Sequence, residues 1–174
     1  LVKETVEELD SGRRRGMLRA MKNCGLECAG LHWLLSPPPP GLHLTTPDRE
    51  TRRKSWAYLE NLIDFCGDLE GTVMVLGSPQ GRSTAAGQSV AEAQKYLVAG
   101  LAGVAGHAHR RGVKILLESL GHNQTDVVNT LAEAAEILAR VDHPAIQTMF
   151  DFHNTLDETD RFPVLIDRYF PHIQ

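Results

Sequence analysis

Four times along this chain a short apolar run gives way to a turn-rich segment and then to a helical pattern, and no other feature constrains the fold as much. The alternation is the signature of βα units on a parallel sheet, because a parallel strand can be reached only through a crossover. The runs are Leu26 to Leu35, Thr72 to Leu76, Val113 to Leu117 and Ile146 to Phe150. Thr72 to Leu76 is uncharged and partly β-branched, as a strand buried on both faces requires. After the first run, SPPPPGLHLTTPDRE excludes helix through its four prolines and offers Thr46 or Asp48 to cap a helix from about Arg49 to Cys66. GSPQGRSTAAG reads as a loop, and an Ala-rich helix from about Ser89 to Arg111 follows it. Basic residues there meet the negative helix end before the Gly112 stop. GHNQ turns the chain, and Thr125 or Asp126 is expected to cap a helix reaching about Val141. Arg14 to Cys24 and Arg161 to Tyr169 are helical, and Pro171 to Gln174 read as the entry to a fifth strand.

A closed barrel of eight such units takes ~250 residues, and this chain has 174. Its four full strands with a fragment at each end read as α/β, a partial (β/α)8 barrel of about four to five parallel units. Residues 1–174 are then one domain, cut at both ends. The alternative is a complete open α/β sheet of four or five strands, which the length also accommodates.

Composition narrows the class of function. With 42% hydrophobic and 23% charged residues and a net charge of -4, the chain has the profile of a globular domain with no basic footprint for nucleic acid. Arg13, Arg14, Arg15 and Arg19 read as a solvated helix face. The longest uncharged apolar stretch, Tyr96 to Gly106, is about half the ~20 residues of a bilayer span, so no membrane segment is expected. LVKETVEELDSGRRR lacks the apolar block of a secretory signal, which makes a cytoplasmic location the expectation. Cys24, Cys28 and Cys66 lack a second pair at zinc-site spacing and read as reduced thiols.

Parallel α/β folds assemble their sites at the carboxyl ends of the strands, and there stand Glu118 and Asp151, one βα unit apart. With strands ~4.8 Å apart, their carboxylates can converge on one point. Such a pair repels unless a proton or cation lies between, and a hard divalent ion with oxygen and imidazole ligands is the usual solution. His153, two residues beyond Asp151, supplies a nearby nitrogen. The opposing reading is two unrelated cap or loop carboxylates.

The segment from LLESLGHNQTDVVNTLAEAAEILARV to DHPAIQTMFDFHNTLDE resembles the sugar and sugar-phosphate isomerases and epimerases of the xylose isomerase-like barrel superfamily, with weaker likeness in GLECAGLHWLL and VLGSPQGRS. The resemblance implies a divalent cofactor (Mn, Mg, Co or Zn). Glu118 would be its first ligand and the proton-transferring carboxylate, and Asp151 its second. His153 matches the substrate-contacting histidine of the family's Asp-x-x-His motif only after deletion of one residue, and Gln124 stands where epimerases often carry a sugar-binding glutamate. A histidine and a glutamate on later strands would complete the ligand set beyond Gln174. The implied reaction is proton transfer through an enediolate of a small sugar or sugar phosphate, and a segment with half the ligands should by itself be a poor catalyst. A homo-oligomer stays open; no nucleic-acid or membrane partner is implied.

Three softer candidates for substrate contact are His32 and Trp33, which end the first strand, and Arg82, whose guanidinium could hold a phosphate or carboxylate. Competing functions on the same fold are an apurinic-site endonuclease-like phosphodiesterase, to which His32 could contribute a ligand, a keto-inositol dehydratase, and a noncatalytic ligand-binding module.

Overall fold

In the computed structural model, which describes residues 4–36, 39–155 and 157–174, the four apolar runs form one parallel sheet. Its strands β1 (Gly30–Leu31), β2 (Val73–Leu76), β3 (Lys114–Leu117) and β4 (Ile146–Thr148) lie side by side in chain order. Sequential parallel order is that of a barrel wall, whereas a doubly wound open sheet reverses its order partway. The open-sheet alternative is set aside on this ground. Ile173 makes a parallel bridge to Thr148, and the Gln174 amide donates to the Thr148 carbonyl at 3.2 Å. The expected fifth strand thus begins on the edge of β4. Pro37 and Pro38 of the proline run lie outside the described residues.

The helices are α1 (Ser11–Asn23), α2 (Arg49–Asp68), the single turn α3 (Pro79–Arg82), α4 (Val90–Arg110), α5 (Leu131–Val141) and α6 (Phe162–Tyr169). Asp48 caps α2 by accepting from the Thr51 amide at 2.9 Å, while Thr46 accepts from the Asp48 amide behind it. Ser89 does the same for α4. Gly112 ends that helix at φ 68°, a conformation in which a Cβ would be strained.

Four elements differ from the sequence-based expectation: the segment read as a loop holds the single turn α3, the fourth strand stops at Thr148 and not at Phe150, and the first strand and the helix after β3 differ as follows. The first strand pairs over two residues only, because β1 has a neighbour on one side and the chain leaves the sheet at Trp33, which adopts φ 58°. Helix α5 begins at Leu131, capped by Thr130, several residues after Thr125 and Asp126. Those two hydroxyl and carboxylate groups instead tie the loop back to the end of α3: Thr125 meets Ser83 at 3.0 Å, and Asp126 accepts from the Thr84 amide at 2.8 Å and from its hydroxyl.

Side chains alternate across the strands. Met74, Leu76, Ile115, Leu117 and Ile146 face the helical layer, where they meet Leu59 and Ile63 of α2, Leu97 and Leu101 of α4 and Ile137 of α5 in one buried cluster. The registered set Val73, Lys114, Val75, Leu116 and Gln147 shares the opposite face. Glu118 continues the parity of Lys114 and Leu116, so it leaves β3 on that inner face.

Candidate active site

A cavity of about 600 Å³ opens where the four strands end, lined by His32, Trp33, Ser78, Glu118, Gln124, Asp151, His153 and Asn154 among others. The rim is built from strained backbone. Trp33 and Ser78, which line the cavity, and Val128 behind it all hold positive φ, at 58°, 41° and 63°. Such conformations are unfavourable for non-glycine residues and persist only where the surroundings over-determine them. Gly77 belongs to the same rim for a different reason: a Cβ there would run into Glu118 Oε2.

Glu118 and Asp151 come together as their strand-end positions led us to expect. The Asn154 amide nitrogen donates to Glu118 Oε1 at 3.1 Å and to Asp151 Oδ2 at 2.8 Å, which puts those two oxygens within about 6 Å of each other. Glu118 is only 5% exposed. Burial first, and then the charge of Asp151, push its carboxyl above the ordinary range; the Asn154 hydrogen bond and the Arg82 charge act the other way. Asp151 also holds its own loop, accepting from the His153 amide at 2.8 Å through Oδ1. The local capping role and the shared site are therefore both present in one side chain.

Asn154 escaped the sequence reading, although the spacing carries its signal. Counted without a deletion, the third residue after Asp151 is Asn154, the place of the histidine in Asp-x-x-His. It is buried, and its Oδ1 accepts from Gln124 Nε2 at 2.7 Å, so a chain of amides runs from the exposed Gln124 to the carboxylates. His153 lines the cavity with an exposed ring, beside this chain and not in it. His32 and Trp33 line the facing wall with their rings 6.3 Å apart, and Trp33 is 72% exposed.

Arg82 is a correction. It does not line the cavity: its side chain is fully buried, and each guanidinium nitrogen donates to a backbone carbonyl. Nε donates to the Gly77 carbonyl and Nη2 to that of Glu118, both at 2.6 Å, and Nη1 to that of Val127. Burial pulls its pKa down to about 10, partly offset by the charges of Glu118 and Glu133, which leaves the cation intact at neutral pH. Its place in a glycine-flanked loop suggested an exposed anion site, but the loop folds inward and the arginine fastens three rim segments together. Among the described residues, no group of three or more His, Cys, Asp or Glu is placed to hold a metal. No helix among them is long and apolar enough to cross a membrane.

The model of the family described as xylose isomerase-like TIM barrel matches residues 3–174. A probable ketose 3-epimerase of Synechocystis sp. is 31% identical over 125 residues, covering 70% of this chain and 43% of that protein. Among solved structures, a D-psicose 3-epimerase crystallised in the presence of D-fructose superposes with a TM-score of 0.83 at 19% identity, over 97% of this chain and 57% of that one. D-Psicose 3-epimerase from Clostridium cellulolyticum H10, with D-tagatose, gives 0.79 at 17% identity over 94% and 56%. A 3-keto-D-glucoside 4-epimerase from E. coli gives 0.77 at 18% identity over 97% and 64%. The chain thus spans less than two thirds of the length of each of these proteins.

Proposed function

The chain belongs to the xylose isomerase-like TIM barrel family, and on that premise we propose that it carries the ion-holding and proton-moving carboxylates of a divalent-metal-dependent sugar isomerase or epimerase. One observation carries the reading: Glu118, buried, and Asp151, half-buried, meet at one end of the sheet, where both accept from the Asn154 amide. The residues fit an ion. Two carboxylates this close are relieved of repulsion by a cation, and an all-oxygen pair favours a hard one such as Mg or Mn. Bound there, such an ion supplies Lewis acidity that polarises a sugar carbonyl and its neighbouring hydroxyl.

The remaining work falls to this chain. Glu118 reaches the cavity from β3 in a setting that already raises its proton affinity, which suits a carboxylate that takes a proton from the carbon beside the carbonyl and returns it. Asp151, anchored through its second oxygen to the His153 amide, holds its position while Glu118 moves the proton. Gln124 and His153 present hydrogen-bonding groups to sugar hydroxyls, and His32 with Trp33 offers the flat apolar surface against which a sugar ring or chain face can lie. The substrate is a small ketose or its phosphate, in keeping with the ketose 3-epimerase name of the Synechocystis relative.

Solvent deuterium exchange at the carbon next to the carbonyl of D-fructose, followed by NMR with added Mn2+ or Mg2+, tests this. A low absolute rate is expected from a chain that spans 43% of its relative, so the ratio of variant to wild type is the readout. Glu118→Gln should slow exchange by about 10²–10⁴, and Gln124→Ala should act chiefly on KM. Exchange by Glu118→Gln at the wild-type rate removes Glu118 as the proton-moving group.

A further inference from the structure

We propose that Cys28 and Cys66 form a reversible disulfide at the end of the sheet opposite the cavity, made by exchange with a low-molecular-weight disulfide such as oxidised glutathione. The inference is independent of the ion site. Gly71 fixes the geometry: a Cβ there would lie 2.8 Å from Cys66 Sγ and 3.2 Å from Cys28 Sγ. The two sulfurs therefore stand within about 6 Å of each other, beside space that a glycine leaves open. Backbone bonds hold both cysteines to this point. The Gly71 amide donates to the Cys66 carbonyl at 2.9 Å, and the next amide, that of Thr72, donates at 3.2 Å to the carbonyl of Ala29, the residue after Cys28. The other contacts of the thiols are weak and long, 3.9 Å from Cys28 Sγ to the Gly30 carbonyl and 3.6 Å from Cys66 Sγ to that of Val73. A disulfide needs ~2.05 Å, so closure takes a rotamer change, and half-buried Cys28 has more freedom for it than enclosed Cys66.

Exposure also sets the order of reaction. Burial pushes the Cys66 thiol up to about 12, with Cys28 nearby adding to the rise, so Cys66 is not the first nucleophile. Cys28 is, and its thiolate attacks one sulfur of oxidised glutathione. One glutathione leaves as the thiolate and takes up the proton that Cys28 gave, while the other stays joined to Cys28. Cys66 then gives up its proton, its sulfur attacks Cys28 Sγ, and the second glutathione departs as the thiol. Two protein thiols are oxidised and one small disulfide is reduced to two thiols. The loop so closed contains β1 and most of α2. β1 pairs over two residues with a neighbour on one side, so it is the strand that a covalent tie holds most usefully.

The test treats the full chain with oxidised glutathione, alkylates the remaining thiols and maps the peptides by mass spectrometry. Expected are Cys28 linked to Cys66, exposed Cys24 alkylated, and a melting temperature raised by about 5 °C or more, all reversed by dithiothreitol. Cys66→Ala should stop at a glutathione adduct on Cys28 and show no such rise. Should Cys66→Ala fail to fold, Cys28→Ala at its half-buried position takes its place, and it should leave Cys66 unmodified until the chain is unfolded. Wild type that stops at the adduct on Cys28 overturns the proposal, as does a link from Cys24 to Cys28 or between two chains through Cys24 with Cys66 still reduced.

Discussion

Glu118 is a buried carboxylate beside a second carboxylate, and without a cation its charge is unfavourable in the folded state. Its carboxyl is held above the ordinary 4.5, so the folded chain binds this proton more tightly than the unfolded chain does. The stability it contributes is fully present below that ordinary value and is lost as the pH rises through the higher folded-state value. Glu118→Gln abolishes this loss. In chelator, urea midpoints of the variant should match those of wild type in acid and exceed them at neutral pH, with the gap opening upward from about pH 4.5. A gap that opens in the other direction would mean the carboxylate is stabilised in the fold. At this scale the carboxylates were legible because strand ends are easily read from a mostly apolar run that stops at a carboxylate. Asn154 and Arg82 were not, because amide orientation and the burial of a loop arginine depend on contacts between residues 36 to 45 positions apart.

Between elements, Arg82 joins the turn after β2, the end of β3 and the loop before α5 through three carbonyls. A point charge cannot reproduce a planar group with donors in three directions. Arg82→Met would leave three carbonyls buried without donors, each worth about 1–3 kcal/mol, against some relief from no longer burying a cation. The net expectation is a loss of roughly 3 kcal/mol in urea unfolding, with Arg82→Lys losing less but still destabilised. A Met variant as stable as wild type would show that water replaces the guanidinium and that the rim does not depend on it. The elements that sequence placed well, α2, α4 and β2 to β4, carry their own signals: side-chain caps at Asp48 and Ser89, a glycine stop at Gly112 and short, mostly apolar runs. Where the reading missed, tertiary contacts had overridden local preference. Thr125 and Asp126 can cap a helix, but they bind Ser83 and Thr84 instead, and Thr130 takes the cap.

For the molecule as a whole, the question is on which side of the sheet stability resides. A closed barrel has two apolar compartments, one inside the strands and one between strands and helices. Here the second is densely formed: Ile115 and Leu117 are 0% exposed against α4 and α5, while Val73 and Val75 on the inner face stay partly open. On that inner face the Gln147 Oε1 atom is buried with no hydrogen-bond partner among the described residues. Ile115→Ala deletes a fully enclosed side chain and should cost about 2–5 kcal/mol, since both the transfer energy and the cavity count. Val75→Ala removes fewer methyl groups, already in partial contact with water, and should cost below about 1 kcal/mol. Urea unfolding of the two variants in chelator measures the difference directly. Equal losses would mean that the inner face is as well packed as the outer one, and the cluster between sheet and helices would no longer account for the fold.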